Sequence, residues 1–299
     1  MFGYLQLLRP LNCLMTSVAV FIGGLLVMGG MGPEVLLPIG LAMVAAFLIT
    51  GAGNAINDYT DVESDKVNKP NRPIPSGRVS RRAALAYAII LFVIGTIIAG
   101  FINWPVYIIA VLNSAVLIVY STHLQDRVVV GNAAVSYLVG SGFLFGGAAL
   151  GNMTLPLILM FLAGLANLAR EIVKDLEDIE GDRIGFMKKL TNGVRRKVGS
   201  ISQRFGISKS GVQLRHSSNL KVIAALSLAL AIAVSPVPFL LKILGFSYLV
   251  VLIPTDLVFL FSIYGIAKAK RKKSYNKVSR LIKLGMFLGL VSFIVGVLV

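Results

Sequence analysis

Nine stretches of about 20 mostly apolar residues constrain this chain more than any other feature. They lie near 11–30, 35–57, 83–101, 104–121, 128–149, 154–175, 220–241, 246–267 and 282–299. Inside lipid no water satisfies backbone N–H and C=O groups, so only helices or a closed barrel can cross. The runs are continuous, without the alternation of barrel strands. This predicts an all-α integral membrane protein with nine transmembrane helices in one domain over 1–299. Composition agrees: 56% of residues are hydrophobic, 14% are charged, and the mean hydropathy is +0.83. Trp104 and Pro105 leave room for only a tight turn after the third run. The first run is read as a retained helix and not a cleaved signal. Its Cys13 is the single cysteine, which rules out an internal disulfide and argues against a metal–thiolate site.

The cations set an orientation. Six of the 29 Lys and Arg lie in 60–82, nine in 177–219 and eight in 268–283, whereas 31–34, 102–105 and 150–153 hold none. The expected cytoplasmic loops are therefore 58–82, 177–219 and 268–283, with the N-terminus cytoplasmic and the C-terminus outside. Nine spans satisfy that parity and eight do not. A net charge of +16 suggests nucleic acid at first sight. Topology and attraction to anionic headgroups explain it better, so no nucleic-acid partner is expected.

The thirteen acidic residues are more telling because they are scarce. Asp58, Asp61, Glu63 and Asp65 follow the second run in "NAINDYTDVESDKVNKPNRPIPSG". Glu171, Asp175, Glu177, Asp178, Glu180 and Asp182 follow the sixth in "REIVKDLEDIEGDR". If the helices continue through these motifs, Asn57, Asp61 and Asp65 share one face, as do Asp178 and Asp182. Like charges at that spacing repel, and a helix C-terminus is the wrong end for anions. Two such violations on one side point to a hard divalent cation, and oxygen-only ligands suit magnesium. Lys69 and Arg72 follow the first cluster in a segment braced by Pro70, Pro73 and Pro75; Arg170 and Lys174 accompany the second. Metal-bound carboxylates ringed by Lys and Arg describe a diphosphate site at the membrane surface.

These residues resemble the UbiA superfamily of intramembrane prenyltransferases. Its first motif, N-D-x-x-D-x-x-x-D, is matched by Asn57, Asp58, Asp61 and Asp65, and its second, D-x-x-D-x-x-x-D, by Asp175, Asp178 and Asp182. Within it, "NKPNRPIPSGRVS" with "REIVKDLEDIEGDR" is most similar to the archaeal digeranylgeranylglyceryl phosphate synthase branch. That branch implies magnesium-dependent transfer of a geranylgeranyl group from its diphosphate to the hydroxyl of geranylgeranylglyceryl phosphate, a step of ether-lipid synthesis at the cell membrane. Other branches use hydroxybenzoate, naphthoate or haem. The resemblance further implies helices around a central cavity opening to the cytoplasm, and two magnesium ions. Asn57, Asp61 and Asp65 would hold one ion and Asp178 with Asp182 the other, with Asp58 and Asp175 as ligands or supports. Lys69, Arg72, Arg170 and Lys174 would face the diphosphate, and Arg9, Asn12 and Tyr120 the acceptor or cavity. The partners are then a prenyl diphosphate, a lipid-like acceptor and membrane lipids.

Two departures stand out. A lysine usual after the fourth helix is replaced in "YSTHLQDR", which offers Tyr120, His123, Gln125 and Arg127 instead. His123 and Asp126 read as loop residues. The basic segment 186–219 lacks the family's usual turn and is expected to be a poorly ordered loop or the product of a compensated frameshift, so His216 within it carries no weight. Two rivals fit less well. An ion transporter would place its carboxylates nearer the midplane. A CDP-alcohol phosphotransferase would need a D-G-x-x-A-R…G-x-x-x-D-x-x-x-D pattern that neither cluster has.

Overall fold

In a computed structural model the described residues are 2–28, 32–125, 127–191 and 217–298, with side chains from 181 to 191 outside that description. Asp126, the Asp182 side chain, His216 and most of 186–219 therefore lie outside the described residues. All described elements are helical. Among the described residues eight helices are long and apolar enough to cross a membrane, and a bent pair makes a ninth if its two parts form one span. The chain divides into two compact units, Met1–Gly164 and Leu165–Val299.

The first unit holds α1 (Phe2–Leu8), α2 (Pro10–Leu25), α3 (Pro33–Thr60), α4 (Val62–Asn68), α5 (Arg81–Ile102), α6 (Trp104–Val119) and α7 (Val128–Ala149). The first expected span, 11–30, is matched by α2, and a second helix, α1, precedes it at a bend of 44°. Pro10 supplies no N–H and disfavours a helical residue before it, and Arg9 sits in the left-handed region at φ 51°. The carbonyl of Leu8, freed by the break, accepts from Asn54 Nδ2 at 2.9 Å and Cys13 Sγ at 3.1 Å. That bend is pinned to α3.

Small residues allow the tightest packing. A Cβ on Gly23 would fall 1.9 Å from the Phe143 carbonyl oxygen, and one on Gly146 would fall 1.8 Å from that of Val20. The backbones of α2 and α7 thus touch through glycines, a usual device where lipid gives helices no hydrophobic reason to associate. The tight turn expected at Trp104 is made by Asn103. Its Oδ1 caps α6 at Val106 N (3.0 Å), and its Nδ2 donates to the Ala148 carbonyl (2.8 Å), tying the turn to α7.

Helix α8 (Thr154–Thr191) begins in the first unit and continues in the second. It runs well past 177, where a loop was expected. Leu176 and Ile179 continue its buried face beyond the apolar run. The second acidic cluster therefore sits within a helix, and the dipole objection does not apply to it. The second unit also contains α9 (Ser217–Val234), α10 (Val237–Leu240), α11 (Phe246–Lys268) and α12 (Lys272–Leu298). The last helix starts ten residues before the expected span, because Lys and Arg lower hydropathy without lowering helix propensity. Gly265 against Val278 and Gly285 against the Phe259 ring bring α11 and α12 together.

Candidate active site

The first acidic cluster lies where α3 gives way to α4. Asp61 leaves helical geometry (φ −84°, ψ 5°), although Asp61 N still reaches Asn57 O at 3.0 Å and Asp65 N reaches Asp61 O at 2.8 Å. The break sorts the acids into two groups instead of leaving Asn57, Asp61 and Asp65 on a single unbroken helix. Asp58 and Asp65, only 3% and 4% exposed, turn inward and share Arg72, with Nη1 at 3.0 Å from Asp58 Oδ1. Arg9, delivered by the strained α1–α2 junction, also binds Asp58. Buried carboxylates are costly unless paired. These two have charged partners from two different segments, Arg9 and Arg72.

Asn57 and Asp61 form the second group. Asn57 Nδ2 donates to Gln125 Oε1 at 2.7 Å, and Gln125 Nε2 donates to Asp61 Oδ1. Gln125 is placed there by a π-helical turn, Tyr120–Leu124, whose closing bond runs from Gln125 N to Tyr120 O at 3.0 Å. A single π turn rotates the next residues relative to their α-helical positions and is frequent at functional sites. A Cβ on Gly131 would lie 2.5 Å from the Leu124 carbonyl oxygen, so only glycine lets α7 start this close to the turn. By sequence, Gln125 stands near the position of the family's lysine, with no role assigned to it. His123 bonds Thr122 at 2.6 Å and is exposed.

Two spaces adjoin this region within the first unit. An outer cleft of about 460 Å³ is lined by Gln6, Arg9, Asp58, Lys69, Asn71 and Arg72, among others. An inner cavity of about 290 Å³ lies among α2, α3, α6 and α7, with Asn12, Thr50, Asn54, Asn113 and Ser141 set between Ile49, Leu117, Leu138 and Phe145. Of the residues expected at an acceptor site, Arg9 thus lines the outer cleft and Asn12 the inner cavity; Tyr120 opens the π turn.

On α8, Glu171 accepts from Arg170 (2.6 Å) and Lys174 (2.9 Å), so both expected diphosphate cations have a carboxylate partner here. Glu177 accepts from Asn276 Nδ2 of α12 at 3.1 Å. Asp178 is exposed, and Asp175 is partly buried. The motif spacing leaves Glu177 without a part, and its partner 99 positions away carries no sequence signal.

Among the described residues no three carboxylate, histidine or cysteine side chains converge as a metal site. The donors of the first cluster are nevertheless all oxygens, and magnesium binds through one or two carboxylates while waters and substrate phosphates complete its shell. The residues fit that ion.

A helical fold of long apolar spans, with acids and arginines gathered beside an amide-lined cavity, defines a multi-pass membrane protein with a charged cleft next to an apolar-walled space. Residues 17–291 match the UbiA prenyltransferase family, and the chain belongs to it. The chain is 41% identical over 297 residues to a digeranylgeranylglyceryl phosphate synthase of Methanopyrus kandleri, with 99% of each chain covered. A solved structure of a digeranylgeranylglyceryl phosphate synthase superposes with a TM-score of 0.80 at 33% identity, covering 99% of this chain and 97% of the other. A UbiA homolog from Archaeoglobus fulgidus, bound to GPP and Mg²⁺, shares the fold at a TM-score of 0.55 and 16% identity, covering 97% of this chain and 99% of that one.

Proposed function

We propose that this protein transfers a geranylgeranyl group from its diphosphate to the free hydroxyl of geranylgeranylglyceryl phosphate. The carrying observation is the joined pair Asn57–Gln125–Asp61 next to the arginine-clamped Asp58 and Asp65, one to two helical turns from the inner cavity. The relatives at about 40% identity support the acceptor class.

Asn57 and Asp61, joined by Asp65 once it exchanges Arg72 for the metal, would hold one magnesium ion and Asp178 with Asp182 a second, with Asp58 and Asp175 as ligands or supports. Bound magnesium would neutralise the charge that develops on the leaving diphosphate. Gln125 fixes the side chains of Asn57 and Asp61 before substrate arrives. Lys174 and Arg170 exchange their Glu171 partner for diphosphate oxygens. Ile49, Leu117, Leu138 and Phe145 keep water from the allylic cation. The acceptor oxygen bonds to the allylic carbon, the carbon–oxygen bond to diphosphate breaks, and the acceptor's proton leaves with the diphosphate. The site opens to the cytoplasm in this reading, at the cell membrane.

Isolated membranes supplied with labelled geranylgeranyl diphosphate, Mg²⁺ and a panel of acceptors test this by mass spectrometry of products. Geranylgeranylglyceryl phosphate should be prenylated in preference to hydroxybenzoate. Preference for hydroxybenzoate would refute the acceptor assignment.

A further inference from the structure

The chain has no acidic residue after Asp256, yet eight Lys and Arg crowd 268–283. Positive loops are ordinary on the cytoplasmic side, so their number alone says little. Their placement on α12 says more. At 100° per residue, Lys273, Lys277, Arg280, Leu284 and Phe287 fall on one stripe about 80° wide. All five are exposed, Leu284 by 47% and Phe287 by 61%. The opposite side of α12, with Tyr275, Val278, Ile282 and Gly285, is buried. Among the described residues no ion pair involves any of the three cations.

The base of the stripe is also fixed. The Ala269 carbonyl accepts from Lys221 Nζ at 2.6 Å and from Tyr275 Oη at 3.1 Å, which clamps the turn between α11 and α12. From Lys273 the cations extend for about 10 Å along the axis, and the apolar residues continue for about another 10 Å. Charge followed by grease in that order is the complement of a phospholipid lying along a helix. A nucleic acid or an acidic protein would meet the cations alone, since Leu284 and Phe287 lie on the apolar part of a helix long enough to cross a membrane.

We infer that this stripe of α12 is a docking site for a membrane lipid with a phosphate monoester head, its phosphate on Lys273, Lys277 and Arg280 and its chain along Leu284 and Phe287. The inference stands without the transfer reading, although the acceptor and product in that reading belong to the same lipid class.

The test uses the full-length protein in detergent with no prenyl diphosphate, so that its failure is separate from a failure of the transfer reading. Phosphatidic acid, phosphatidylcholine and inorganic phosphate are the three probes, read by native mass spectrometry and thermal shift. The variant Lys273→Gln/Lys277→Gln/Arg280→Gln should bind phosphatidic acid about 100-fold more weakly, at about fivefold per cation. The control Lys268→Gln/Lys270→Gln/Lys272→Gln removes the same charge off the stripe and should bind like the wild type. Leu284→Ala/Phe287→Ala should weaken phosphatidic acid binding without touching the cations. Should the first triple fail to fold, Lys277→Gln alone should give the fivefold loss. Equal losses in both triples would reduce the site to diffuse attraction and overturn it. So would equal retention of phosphatidylcholine, or binding of inorganic phosphate as tight as that of the lipid.

Discussion

Arg72 and Gln125 divide the work of one acidic motif. Arg72 neutralises two nearly buried carboxylates, Asp58 and Asp65. Removing one partner from such a group leaves uncompensated charge, so Arg72→Ala should destabilise the protein by about 3 kcal/mol in detergent unfolding. Arg72→Lys should recover only part of that, because an ammonium cannot reproduce the guanidinium fork. Gln125 is different. It bridges Asn57 and Asp61 without carrying charge. Loss of a group that orients metal ligands typically costs about 10–100-fold in affinity or activity. Gln125→Ala should therefore lower transfer by that much and raise the Mg²⁺ requirement, with little change in melting temperature. An unaltered Mg²⁺ dependence would show that the bridge is only structural.

At the scale of elements, the π turn sets the geometry of the site. Inserting an alanine between Thr122 and His123 should carry the chain past the π register, in which Gln125 N closes on Tyr120 O, and swing Gln125 by about 100° away from Asn57 and Asp61. Transfer should be lost while membrane integration, followed by fractionation, persists; wild-type turnover in the variant with the added alanine would remove the turn from the account. The acids were legible in the sequence because so few exist outside these motifs, and the break after Ile102 was legible in Trp104-Pro105. The pairing within the motif was not. A four-residue spacing holds on a continuous helix, and the break at Asp61 sends Asp65 toward Arg72 instead. Gln125 was hidden for another reason: a π turn adds a register shift that hydrophobic periodicity does not encode. Helix boundaries at α8 and α12 were misread because hydropathy marks where lipid contact ends, not where helical hydrogen bonding ends.

For the whole molecule, the family and the eight long apolar helices among the described residues make a multi-pass membrane protein, with the bent α1–α2 pair completing a ninth crossing if it spans. The cation distribution predicts opposite sides for the two termini. Reporter fusions should find the N-terminus cytoplasmic and the C-terminus outside, and the same side for both would mean that α1–α2 does not cross. The enzyme proposed here needs the acids of α3 and those of α8 to act on one leaving group. The most direct test is labelled geranylgeranyl transfer to geranylgeranylglyceryl phosphate in isolated membranes, comparing wild type, Asp61→Ala, Asp178→Ala and the double variant with and without Mg²⁺. Each single variant should lose at least about 100-fold, and the double should be scarcely worse than either, because residues acting as a unit are not additive. Transfer that survives either substitution, or proceeds without divalent cation, would contradict the account.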